Sequence, residues 1–209
     1  MLRVILTILA VLTLLIINEV WWRHRTVHTE FGRKFIHITV GCFVAVWPWF
    51  LSWRQIELLS VLFLAVIIAS KLLRLFQAIH SVQRPTLGEL FFAIAVGLVA
   101  LVTHDKWIYA AALLQMALAD GLAAIIGVQF GNRLKYLIFN YPKSVVGTMT
   151  FFVVSTGILV GYSHASGQEL DVAFILTTSL LATALENVAV WGLDNLLVPL
   201  LIAVLLVNR

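Results

Sequence analysis

Eight stretches of almost unbroken apolar residues, at 2–22, 35–51, 55–72, 87–103, 107–127, 145–163, 172–191 and 194–207, alternate with short polar gaps along the chain. A bilayer core of about 30 Å asks for roughly 20 apolar residues of a helix, so each run reads as a transmembrane helix. The first run is longer than the apolar core of a secretory signal and lacks a small-residue cleavage pattern. It is therefore expected to be a retained helix with an aromatic interfacial end at Trp21 and Trp22. The last run is short and carries Pro199, so it is expected to be tilted or broken, and seven full crossings plus a partial one is the second count. The pattern predicts an all-α, polytopic integral membrane bundle of 7–8 transmembrane helices with no soluble domain.

Composition sharpens this. Of the 209 residues, 62% are hydrophobic and 11% charged, against roughly 45–50% and about 25% in ordinary soluble domains, which excludes a soluble globular protein. The single cysteine, Cys42, excludes an intrachain disulfide and cysteine-based metal sites. The net charge of +4 matters less than its distribution. Arg23, Arg25, Arg33, Lys34, Lys71, Arg74, Arg84, Arg133, Lys135 and Lys143 fall in the gaps after the first, third and fifth runs, and Arg3, Arg54, Lys106 and Arg209 fall on the other side. The positive-inside rule assigns the richer side to the cytoplasm. The chain is expected to be one catalytic domain over 1–209, with the first helix and its cytoplasmic loop at 1–32 and a motif-bearing core at 33–199.

Ionisable residues inside apolar runs are costly and call for an explanation. Asp120 stands in Asp-Gly-Leu-Ala-Ala-Ile-Ile-Gly, where Ala123, Ala124 and Gly127 follow at helical spacing and make a small-residue face. Packing explains the small residues but not the acid. Arg33, His37 and Gly41 share one face four residues apart, with Lys34 beside them, a stripe suited to an anion; the competing reading is a basic flank that snorkels to headgroups. In Lys143-Ser144-Val145-Val146-Gly147-Thr148, Ser144 can cap a helix whose free amides favour phosphate, although no Gly-rich loop precedes the lysine as in a Walker motif. Glu186-Asn187 and Asp194-Asn195 offer oxygen ligands for a divalent cation; alternatively Asp194 caps the last helix. Glu89 is a weaker candidate. Charge bias alone places all these clusters near the cytoplasmic face, where carboxylates for a metal and cations for phosphates suit a nucleoside triphosphate. Gly157 and Gly161 read as a helix-packing pair that would permit a homodimer.

In chain order, Arg-Lys-x-x-His-x-x-x-Gly at 33–41, Gly-Glu at 88–89, Asp-Gly-x-Ala-Ala-x-x-Gly-x-x-x-Gly at 120–131, Lys-Ser-x-x-Gly-Thr at 143–148, Glu-Asn at 186–187 and Asp-Asn-x-x-x-Pro at 194–199 resemble the CTP-dependent polyprenol kinases. That family includes dolichol, phytol and farnesol kinases and CTP-using diacylglycerol kinases; the CDP-diacylglycerol synthases are more distant. Two positions depart from its pattern: Thr148 stands where serine is expected, and Gly192-Leu193 precede Asp194 where relatives tend to carry another acid. The resemblance implies transfer of the γ-phosphoryl group of CTP to a membrane lipid alcohol, with Mg²⁺ as cofactor and no nucleic-acid partner. It implies Asp120, Glu186 and Asp194 as metal ligands, with Asp120 or Asp194 activating the hydroxyl. Arg33, Lys34, Lys143, Ser144, Gly147, Thr148 and Asn195 would bind phosphates or nucleotide, His37 would orient a group, and Asn187 and Gly127 are weaker candidates. Two other readings stand: a cytidylyltransferase attacking the α-phosphate, and a small ion-coupled transporter, which would require polar residues through both halves of the membrane.

Overall fold

The computed structural model describes residues 2–23, 30–73 and 87–209. Arg25, Arg74 and Arg84 and the side chains of Trp21, Trp22, Arg23 and Lys71, used in the reading above, lie outside what it describes.

Among the described residues eight helices follow one another: α1 (Leu2–Arg23), α2 (Glu30–Ala45), α3 (Trp53–Leu73), α4 (Gly88–Val102), α5 (Lys106–Phe130), α6 (Val145–Ser166), α7 (Val172–Val188) and α8 (Asp194–Val207). Their starts are chemically marked. The Asp105 carboxylate accepts from the backbone N–H groups of Trp107 and Ile108 at 2.7 and 3.0 Å, the Asp171 carboxylate from that of Phe174 at 2.7 Å, and the Ser144 hydroxyl from that of Gly147 at 3.1 Å. Each satisfies amides that a helix start leaves open. Gly167, at φ 73°, closes α6 with the left-handed residue common at helix ends.

Three features differ from the sequence expectation. The run 35–51 is not one helix: α2 stops at Ala45 and a 3₁₀ turn at Trp47–Trp49 follows, because Pro48 lacks the N–H that would continue the ladder. The fold is not purely helical: β1 (Lys135–Ile138) and β2 (Tyr141–Ser144) form an antiparallel hairpin with Tyr136 opposite Lys143. Its two loop residues, Phe139 and Asn140, take φ values of 48° and 66°, matching the strand twist as primed turns do. Finally, Pro199 does not break α8, which runs unbroken from Asp194 with Pro199 buried in its second turn.

α5 is the central element. It packs on α2, α6 and α8, and within it residues Gln115–Ala119 form a π-helical turn, a local widening that is frequent at functional sites. The core around it holds Tyr109, Leu113, Met116, Phe151, Leu159 and Ile202. α1 sits at the periphery, packed against α2. The outer surface is apolar, with Leu58, Val61, Val153 and Leu180 each more than 60% exposed, as expected where lipid rather than water is the neighbour. By length and composition three helices, Trp53–Ser70, Lys106–Phe130 and Val145–Ser166, suffice to cross a membrane, and Leu2–Ile17, α4, α7 and α8 are shorter apolar helices. Gly157 and Gly161 face outward: a side chain added at either would meet nothing within 4 Å, so they pack against no other helix among the described residues.

Candidate active site

At one end of the bundle the first turns of α2, α4, α6 and α8, the last turns of α7 and the second half of α5 converge. Asp120, the first residue after the π turn, is buried in the middle of α5. Glu186 reaches it from α7 and Asp194 from α8, and one carboxylate oxygen from each lies within 4.8 Å of the others. Three acids at this separation repel one another unless cations lie among them, and here two lysines do. Lys34 Nζ donates to Asp120 Oδ2 at 2.5 Å, both side chains 8% exposed. Lys143 forms an ion pair with the Glu186 carboxylate and donates to its backbone carbonyl at 3.1 Å. Burial works against the Lys143 charge, but Glu186 and then Asp194 outweigh it and hold the lysine above its ordinary pKa.

Each side chain is placed by its element. His37, one turn beyond Lys34, donates from Nε2 to the Met116 carbonyl at 2.9 Å, within the π turn, and lies 3.5 Å from Asp120 Oδ2. Its ring meets Phe92 edge-on with centroids 5.3 Å apart. Lys143 is held by the hairpin and Ser144 caps α6 while its hydroxyl donates to the Gly127 carbonyl at 3.4 Å. That approach needs glycine on both helices: a Cβ at Gly127 would stand 2.9 Å from Ser144 Oγ and 3.1 Å from the Gly147 Cα. The link from α7 to α8 turns through Trp191 and Gly192 at φ 59° and 86°. Glycine stands where an additional acid was anticipated because this turn takes a left-handed residue there. Asp194 makes no capping bond and turns its carboxylate to the acid cluster, so capping does not account for it.

A cavity of about 400 Å³ opens over the cluster, lined among others by Arg33, Lys34, Asp120, Gly127, Lys143, Ser144, Gly147, Thr148, Glu186, Asp194 and Asn195. Three of the residues singled out from sequence do not line it. Asn187 sits behind the wall, accepting from the Tyr136 and Thr148 hydroxyls at 2.6 and 3.2 Å and donating to the Thr183 carbonyl at 3.0 Å. His37 and Glu89 line a second, apolar cavity. Sequence reasoning missed Tyr136, whose hydroxyl ties the hairpin to Asn187 and Thr148, and Asn132, Lys135, Tyr141 and Trp191 in the wall. Asn140, a turn-favouring residue between the Tyr136–Phe139 run and Tyr141, was the available signal for the hairpin.

Three oxygen donors in a buried cluster, with no sulfur or imidazole among them, suit a hard divalent cation. A wide cavity beside it, with Arg33, Lys34, Lys143 and the capped start of α6 in its wall, suits an anion carrying several phosphates.

No family model and no solved structure matches the chain. Over 177 residues it is 34% identical to the phytol kinase of Synechocystis sp., an alignment that covers 82% of this chain and 76% of that protein.

Proposed function

The chain belongs to the polyprenol and phytol kinase family, and from that premise we propose that it transfers the γ-phosphoryl group of CTP to the hydroxyl of an isoprenoid alcohol at the cytoplasmic face of a membrane that its helices cross seven or eight times. The observation that carries the reading is the acid cluster of Asp120, Glu186 and Asp194 interleaved with Lys34 and Lys143. Phosphoryl transfer asks little covalent chemistry of a protein and much charge placement. Asp120, Glu186 and Asp194 would hold Mg²⁺, which when bound neutralises oxygens of the triphosphate. Lys34 and Lys143 balance the carboxylates in the metal-free cluster. With a divalent cation among the acids, both ammonium groups would be free to face phosphate oxygens, with Arg33 and the amides at the start of α6 beside them. His37, anchored on Met116, keeps the Asp120 carboxylate and Lys34 in register. One of the three acids would accept the alcohol proton.

The test uses purified protein in nanodiscs with Mg²⁺, CTP labelled separately at the α and γ phosphates, and lipid alcohols or phosphatidic acid. Label from the γ position in the lipid, lost with EDTA and in Asp120→Asn, is the expected result. Label from the α position would show a cytidylyltransferase instead, and equal use of ATP would remove the CTP assignment.

A further inference from the structure

The second cavity, about 80 Å³, is apolar along most of its wall, with Ile36, Val40, Phe63 and Phe92 among its lining residues. A third, about 60 Å³, shares Leu15, Val40, Phe63 and Val66 with it, so the two form one trough on α2, between α1 and α3. Along α3 this trough extends from Ser70 to Leu59, roughly 16 Å at the rise of a helix. Among the described residues α1 packs on α2 and barely touches α3, which leaves the trough open sideways. At its inner end the lining turns polar. Arg33 and Asn195 stand there, and both also line the large polar cavity, so the two spaces meet at these side chains.

Asn195 carries an unusual feature. It is 5% exposed, its Nδ2 donates to the Gly88 carbonyl at 3.1 Å, and its Oδ1 is buried and accepts no hydrogen bond among the described residues. A buried acceptor is rarely left so without a ligand or water to satisfy it. The site is thus a narrow apolar trough that ends, beside the acid cluster, near the open Asn195 acceptor.

We infer that this trough is the acceptor-lipid site: a single isoprenoid chain lies along α2 and α3, and its terminal hydroxyl donates to Asn195 Oδ1. The inference rests on the kinase reading and deepens it. A hydroxyl held there has its lone pairs toward the polar cavity, where the phosphoryl group would stand; as the O–P bond forms, its proton leaves the Asn195 amide oxygen, which holds but cannot take it, for a carboxylate of the acid cluster. The trough is far smaller than that cavity and admits one methyl-branched chain; two acyl chains on a glycerol do not fit side by side. The alcohol enters from the bilayer between α1 and α3.

The experiment is photolabelling in nanodiscs without nucleotide, using a diazirine-bearing farnesol analogue, followed by peptide mass spectrometry. Label is expected within 36–44 and 59–70, competed by unlabelled geranylgeraniol and not by diacylglycerol. Val66→Trp, at the lipid-facing lip where added bulk does not disturb the core, should abolish it. In the transfer assay Asn195→Ala should raise the KM for the alcohol about five- to tenfold, the value of one neutral hydrogen bond, and clearly more than it raises the KM for CTP. Label confined to helices that do not line the trough, equal competition by diacylglycerol, or equal rises in both KM values would overturn the site. Labelling as described with no transfer from any nucleotide would instead overturn the kinase reading while keeping the trough as an alcohol site.

Discussion

At the residue scale, Lys34 and Asp120 show why stability and catalysis have to be separated in this site. Both are buried and joined at 2.5 Å, so removing one leaves the other charge without its partner. Breaking a buried pair on one side costs about 3–5 kcal/mol, whereas replacing both partners by neutral groups is often close to neutral. Lys34→Met should therefore lower the unfolding temperature markedly, and adding Asp120→Asn should restore most of it. Neither variant should recover phosphoryl transfer, because both lose groups assigned to the metal or the phosphates. A thermal shift assay beside the transfer assay reads both. Recovery of activity together with stability would show the pair to be a structural tie. Asp120 was legible in the sequence because a carboxylate in an apolar run has few cheap explanations. Its pairing with Lys34 was not, since the two residues, 86 positions apart, are brought together only by the packing of α2 on α5. The expectation that Lys34 serves phosphate directly left out the carboxylate beside it.

At the scale of elements, the hairpin is what puts Lys143 where it acts. Register pairs Tyr136 with Lys143, and Tyr136 is pinned in turn to Asn187 and Thr148. The turn works only with positive φ at both loop residues, which asparagine tolerates and a β-branched residue does not. Asn140→Gly should leave transfer within about twofold of the parent, while Asn140→Val should slip the register and reduce kcat at least tenfold. Equal activity of the two variants would show that Lys143 does not depend on the turn. A second element-scale prediction concerns the crossing of α5 and α6. Gly127→Val forces apart two backbones that now meet through Gly127 and Gly147, so it should weaken nucleotide binding and loosen the fold together; an unchanged KM for CTP would separate this crossing from the nucleotide site. Helix positions were readable from apolar run length, and the eight helices among the described residues lie where the runs stand. The hairpin was not, because short strands on a polar loop have no bilayer constraint to announce them. The end of α2 was missed because Trp47 and Trp49 extend the apolar count past the point where Pro48 stops the helix.

At the scale of the whole molecule, charge and chemistry agree on one end of the bundle. Arg33, Lys34, Lys135 and Lys143 and the three acids gather where α2, α4, α6 and α8 begin, while Asp105 and the Asp171–Arg209 ion pair mark the opposite end. Helices of alternating direction, with positive charge concentrated at one set of ends, are the physical content of the positive-inside rule. Neither a purely structural bundle nor a transporter accounts for acids and lysines collected at a single end, because transport needs polar stations through both halves. The sidedness is therefore testable without any catalytic assay. In a Cys42→Ser background, a cysteine in place of Asn132 beside the hairpin and one in place of Gln168 between α6 and α7 should respond oppositely to a membrane-impermeant maleimide. In intact cells only the Gln168 position should be labelled; in inside-out vesicles only the Asn132 position should be. The reverse pattern would put the acid cluster away from the cytoplasmic pool of nucleoside triphosphate and sink the kinase reading at its source. Labelling of both positions from one side would instead mean that an odd number of crossings does not separate them, and that α6 fails to span despite its 22 apolar-rich residues.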